Sequence, residues 1–363
     1  MARAAKKPTK AAKPILDSEM SRPTGSDLYI WCDYIELRSL VDKDRRLSRG
    51  RMQELLDESA QMNGEQTDAD VVNPLDPVDA AIPAPGVDAD DLDVLDGVPP
   101  GGGHVGTRNE MRVAGWFKNL AFRAKTFGDA YPFKLSADGQ ELEALPVDTP
   151  LRVLYVQMLM SASLRLVPKT RHNELTESFE ETSHEIFKQL MPIGWEVHRF
   201  GAKGASRYEG LLFDKLKALV KDLRGKLHLE AKDFKPNDSG DGGLDLVAWH
   251  PMGGDERDGL PVALAQCGCT SDGAEWSMKT LEASPAKLKP HIHLLHPWST
   301  YYFMPHDLTE AVGTQIDWQH RLRLTETIVI DRSRLIRLAK LYGSVDRCLT
   351  AKATVTEAIA LTY

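Results

Sequence analysis

SGDGGLDLVAW, residues 239–249, decides how the C-terminal half of this 363-residue chain is read. A glycine-rich turn delivers Asp245 into the start of a short apolar run, Leu244 to Trp249. A run of that length bounded by Gly and Pro predicts a buried strand. A carboxylate entering a buried strand must be compensated by a cation or by several hydrogen-bond donors. A divalent metal is the simplest such compensation. Hard oxygen donors suit Mg2+ or Mn2+, which can polarise a phosphoryl oxygen and lower the pKa of bound water.

Working outward, PVALAQC (Pro261 to Cys267) predicts a second buried strand, and GWEVHRFG from Gly194 has the period-two alternation of a strand entered from a helix. TYYFM (Thr300 to Met304) and TETIVI (Thr325 to Ile330) favour further strands. Helices are expected from Tyr208 to Leu223, from Trp276 to Leu281, and from an Asp331 cap to about Leu341. Upstream, Trp31, Tyr34, Ile35, Leu37 and Leu40 recur at helical spacing within Leu28 to Leu56, as do Met111, Val113, Trp116, Phe117 and Leu120 after Arg108. Leu151 to Leu166 and Leu175 to Leu190 predict two more helices, the second capped by Thr176. The expected fold class is α/β: a mixed sheet flanked by helices, with an N-terminal helical domain.

Composition sets the divisions. Residues 1–26 open on MARAAKKPTKAAKP and are expected to form a disordered basic tail, followed by a helical segment at 27–59. From Met52 to Thr107 there are 13 acidic residues and no Lys or Arg, so the rest of the chain carries about +5 against −8 for the whole. Residues 60–106, rich in Asp, Pro, Ala and Gly, are expected to be a disordered acidic insertion. A helical domain at 107–174, the sheet domain at 175–345 and a C-terminal tail at 346–363 complete the expected plan. Four cysteines in this length make no disulfide framework, and no charged, apolar leader opens the sequence. The most apolar run, Val153 to Ala162, is shorter than the roughly 20 residues of a membrane span. A cytoplasmic protein without membrane contact is expected.

From residue 175 to about 305 the chain resembles the restriction-endonuclease-like superfamily, the PD-(D/E)XK nucleases, and within it the Mrr-like branch. Phe179-Glu180, Gly194-Trp195, Gly240-Asp241-Gly242-Gly243-Leu244-Asp245 and Gln266-Cys267-Gly268 stand in the order of that branch's motifs. The resemblance implies that Asp245 ligates a metal, that Gln266 occupies the position of the second acidic residue, and that Glu180 completes the site from a helix. Asp241 is expected to hold the turn through its side chain. The roughly forty residues between Gly194-Trp195 and the Gly-Asp turn leave a second assignment, with Glu209 as the helix carboxylate. Glu180 is preferred because Phe179-Glu180 leads directly into Gly194-Trp195. Gly268 stands where the motif has its catalytic lysine, and Lys279 on the following helix is the candidate replacement.

The function implied is Mg2+- or Mn2+-dependent hydrolysis of DNA phosphodiester bonds by an endonuclease, in antiviral defence or restriction, with a homo-oligomer or a defence-system partner protein as associates. RNA is a third substrate reading. The alternative from another class is a catalytically inactive nuclease-fold protein that binds or senses nucleic acid or a protein partner. Cys267 and Cys269 with His291, His293 and His296 lack the usual zinc-knuckle spacing, so zinc is not expected. His306 and Asp307 fit either a surface turn or the sheet edge near the site.

Overall fold

A helix apolar on almost every side cannot lie on a surface. Helix α1 (Leu28–Val41) is of this kind, burying Trp31, Ile35 and Leu37 and also Asp33 and Glu36. The computed structural model describes residues 13–25, 27–62, 103–201, 207–235, 237–240, 242–312, 315–320, 324 and 326–363. After α1 come β1 (Arg46–Ser48), α2 (Arg49–Met62) and α3 (Gly103–Phe127). A hairpin of β2 (Phe133–Leu135) and β3 (Glu141–Ala144) pairs with β1 in a small antiparallel sheet ordered β1-β3-β2. Helix α4 (Pro150–Ala162) starts on Thr149, whose hydroxyl accepts from the Arg152 amide, with Pro150 at the first helical position. Helix α5 (His172–Leu190) buries Leu175, Phe179, Ile186 and Phe187, a stripe at helical spacing.

The sheet that carries the site follows. The elements around it run β4 (Glu196–Arg199), α6 (Leu212–Asp222), β5 (Lys226–Leu227), β6 (Leu246–Trp249), β7 (Val262–Cys267), α7 (Gly273–Leu281) and α8 (Pro285–Leu288). Then come β8 (Ile292–His293), β9 (Ser299–Phe303), β10 (Thr309–Val312), β11 (Gln315–Trp318) and β12 (Ile328–Ile330), and the helices α9 (Arg332–Leu341), α10 (Val345–Cys348) and α11 (Lys352–Ala360). Five strands form a mixed sheet ordered β12-β9-β7-β6-β4, antiparallel on the β4 side of β7 and parallel on the β12 side. Side chains alternate between its faces. Leu246, Ala248, Ala263 and Ala265 pack into the core that holds α4 and α5, while Val247, Trp249, Val262 and Leu264 meet α6 and Trp298. Both faces are covered, which is why these strands read as unbroken apolar runs.

Several expected boundaries move. Ile15, Leu16 and Met20 are buried, so the part of the expected tail at 13–25 is packed against the core. Helices α2 and α3 run to Met62 and from Gly103, reaching into both ends of the expected insertion. Residues 1–12 and 63–102 lie outside the described residues. The N-terminal part is not helical throughout, because β1, β2 and β3 lie within it. Residues 346–363, expected as a tail, hold α11 and part of α10, with Cys348, Val355 and Ala358 buried. Thr176 lies inside α5 and does not cap it. A single buried cluster runs through Ile15, Trp31, Phe179, Ala265, Ile336 and Val355, so the N-terminal helices and the sheet share one core.

Charge is buried in that core as well. Arg123 of α3 donates to Asp33 Oδ1 at 2.7 Å and Glu36 Oε1 at 3.0 Å, and its Nε lies 3.2 Å from Asp307 Oδ2. Arg332 of α9 grips both Asp33 oxygens, at 2.8 and 3.0 Å. Tyr131 and Tyr155 donate their hydroxyls to the two oxygens of Glu36. Burial would raise Asp33, but Arg332 and Arg123 outweigh it and hold its carboxyl below the usual range; burial pushes Glu36 up against the pull of Arg123. Among the described residues, no helix is long and apolar enough to cross a membrane.

Candidate active site

The turn before β6 is fixed from α6. Lys215, itself buried, donates its ammonium to the carbonyls of Ser239 and Gly240 at 2.9 and 3.1 Å, and the Leu212 amide donates to Asp238 O at 2.8 Å. Gly243 has φ +82°, and a Cβ there would stand 2.7 Å from Cβ and Oε2 of Glu282, so only glycine lets the turn lie against the end of α7. Asp241 lies outside the described residues.

Asp245 extends the β6 ladder by one residue: its amide donates to Ala265 O at 3.0 Å and its carbonyl accepts from Phe200 at 2.6 Å. Its carboxylate is 8% exposed at the residue level and accepts from the Cys267 amide through Oδ2 at 2.6 Å. One step beyond the Leu246–Ala265 pair, Asp245 stands opposite Gln266. Gln266 is buried, and its Oε1 has no hydrogen-bond partner among the described residues. From the opposite face of the sheet, α5 brings Glu180, whose Oε1 accepts from Arg199 Nε at 2.9 Å. From α7, Lys279 donates to Glu282 Oε1 at 3.1 Å.

These groups meet because β6 begins where β7 ends, so side chains from both faces reach one opening. Glu180, Asp245, Gln266 and Lys279 line a single cleft of about 340 Å3, together with Glu177 and Glu282. The four residues singled out in the sequence therefore converge. Glu209 does not join them: it is exposed in the loop before α6, which starts only at Leu212. Glu282 was missed, since an acid three residues after Lys279 reads as an ordinary helical ion pair.

Cys267 and Cys269 also line the cleft. Burial, reinforced by Asp245, pushes both thiols up and keeps them neutral. The histidines considered with them lie elsewhere, with His293 stacked on His228 in the β5–β8 ladder. His306 and Asp307 are neither on a surface turn nor in the cleft. They are buried, His306 bonded to Thr270 O at 2.8 Å and Asp307 beside Arg123. The helix that carries Lys279 is docked on α1: Tyr29 donates to Ser271 O at 2.7 Å, and its ring lies 5.4 Å from that of buried Trp276.

Among the described residues, no group of three or more His, Cys, Asp and Glu is arranged to hold a metal. The donors expected from the sequence, Asp245, Glu180 and Gln266, are two carboxylates and one amide oxygen, with the Glu177 and Glu282 carboxylates also on the lining. That set fits Mg2+, which binds through one or two carboxylates and fills its remaining positions with water and substrate phosphate. The buried amide oxygen of Gln266 is the specific observation in favour, because an acceptor left without a donor costs about 1–3 kcal/mol unless something completes it. Comparison with protein families, with curated proteins and with solved structures finds no match for this chain.

Proposed function

We propose that the cleft is the active centre of a Mg2+- or Mn2+-dependent nuclease that hydrolyses DNA phosphodiester bonds, on a restriction-endonuclease-like form of the mixed sheet. The observation that carries this reading is the convergence of Asp245, Gln266, Glu180 and Lys279 from four separate elements on one cleft. Asp245, Gln266 and Glu180 would hold the cation, which when bound supplies Lewis-acid polarisation and a more acidic water. Lys279, partly exposed at 38% of its side chain, offers an ammonium to a phosphate oxygen, and Glu282 holds that ammonium in place at 3.1 Å. Cys267 fixes the Asp245 carboxylate through its backbone amide. A role as an effector that destroys foreign DNA follows from the same resemblance, with a homo-oligomer or a partner protein as its setting.

A second reading, a scaffold that binds nucleic acid or a protein without cutting, draws on the ion pairs already made in the cleft. Glu180 is compensated by Arg199 and Lys279 by Glu282. Supercoiled plasmid incubated with the protein and Mg2+ or Mn2+ separates the two. The nuclease reading expects nicked or linear product that disappears with EDTA. Intact plasmid, with DNA retarded on a native gel, would favour the scaffold.

A further inference from the structure

Gln266 is not the only polar group near the cleft left without a partner. In the parallel register of β7 and β9, Gln266 stands directly opposite Tyr302, so the two side chains share one face of the sheet. Tyr302 is fully buried, and its hydroxyl has no hydrogen-bond partner among the described residues. A phenol in such a place normally finds one. Gly268, two residues beyond Gln266 on the same side of the strand, explains where the hydroxyl sits. A Cβ at 268 would overlap the Tyr302 hydroxyl and come within 3.0 Å of Cζ and 3.1 Å of Cε2. The space a side chain at 268 would fill is therefore taken by the phenol, arriving from the next strand. Cys267 and Cys269, on either side of Gly268, both line the cleft. A buried donor and a buried acceptor thus stand opposite each other on neighbouring strands, the acceptor on the cleft lining and the donor behind it, not bonded to each other.

We propose that Tyr302 is a positioning residue of this cleft, its hydroxyl and the Gln266 amide oxygen together orienting the polar occupant that Asp245 and Gln266 hold. The inference rests on the metal-dependent reading above. The phenol acts as a donor in its neutral form: burial, then the nearby Cys269, Cys267, Glu282 and Asp245, push its ionisation well above the ordinary range. An amide can present either its oxygen or its NH2 group, and a donor close to the oxygen decides which way it faces. Groups of this kind behind a ligand commonly contribute 10–100-fold to metal affinity.

Tyr302→Phe removes one oxygen atom that the folded chain leaves unbonded. Metal-free thermal unfolding of the full chain should therefore stay the same or rise, while a Mn2+ titration should show affinity weakened about 10-fold. A phenol that only filled space would leave Mn2+ affinity unchanged, and that result would overturn the proposal. Parent protein that binds Mn2+ and cuts plasmid, beside an identical Tyr302→Phe variant, sinks this inference and spares the nuclease reading. Parent protein that neither binds Mn2+ nor cuts sinks both. Gly268→Ala supplies an independent arm: it should destabilise the parent and cost clearly less in the Tyr302→Phe background, where the overlapping oxygen is gone. Equal costs in both backgrounds would contradict the close approach on which the proposal stands.

Discussion

Two regions of this protein concentrate charge, and they resolve it in opposite ways. Around α1, three carboxylates, Asp33, Glu36 and Asp307, are held by the guanidiniums of Arg123 and Arg332 with all five side chains 4% exposed or less. At the end of the sheet, Glu180 pairs with Arg199 and Glu282 with Lys279 beside an opening, Asp245 is held by a backbone amide, and the Gln266 oxygen meets no donor among the described residues. The first arrangement balances its charges inside the chain, out of reach of solvent. The second leaves a buried acceptor beside a cleft, where the proposed chemistry would sit.

The largest expected effect comes from breaking the closed region. Arg332→Ala leaves Asp33 buried with one guanidinium fewer and should cost about 3–5 kcal/mol, read from urea unfolding. An unchanged midpoint would erase the contrast drawn here. In the open region the corresponding change should spare the fold and remove function. Asp245→Asn retains an acceptor for the Cys267 amide, so metal-free Tm should move by no more than about 2 °C, while Mg2+-dependent cleavage falls by about 1,000-fold. A fold loss as large as that of Arg332→Ala would make Asp245 another structural charge.

Lys279→Ala should lower the single-turnover rate by about 100-fold and change DNA affinity far less, because one cation among many phosphate contacts matters little to binding. Equal, small losses in both would identify a surface lysine.

The smallest effect is in pH. Burial, with Asp307 nearby, raises Asp331 to about 7, whereas burial lowers His306 and His184 to about 4. A carboxyl raised on folding contributes stability that is full below its unfolded pKa of about 3.9 and is lost as pH climbs toward 7. The two histidines contribute above their unfolded value of about 6.5, and their share is lost as pH falls toward 4. Asp331→Asn keeps an acceptor for the Arg334 amide, so it should match the parent at pH 4 and exceed it by about 1–2 kcal/mol at pH 8. Parallel curves for the two proteins from pH 4 to 8 would place Asp331 outside the buried network.

The open region was far more legible in the sequence than the closed one. Runs such as LDLVAW and PVALAQC announce strands covered on both faces, and a Gly-rich turn before an aspartate has few structural uses. Asp33, Glu36 and Arg123 give no such notice. A single charge within a helical pattern reads as the solvated side, and their pairing with Arg332 and Asp307 is set by contacts up to 299 positions away. The small β1-β3-β2 sheet was obscured because its strands are three or four residues long and bury little more than Leu47, Phe133 and Leu142. Asp138-Gly139 sits in the turn between β2 and β3, a hairpin cue flanked by runs too short to show a strand pattern. Tyr302 could not be told from the other aromatics of TYYFM, since only the strand register sets it under Gly268.

The grip of Arg332 on Asp33 also sets a timetable for synthesis. At about 5–20 residues per second, a partner 299 positions downstream is made roughly 15–60 s after the aspartate it will neutralise. Arg123 arrives much sooner, 90 positions on, and can shelter Asp33 and Glu36 in the interval. The nascent N-terminal helices must then wait, part-assembled, for α9 to close the core. Slowing the ribosome anywhere between α3 and α9 would prolong that exposed state and raise the demand for chaperones without altering a single contact of the finished protein.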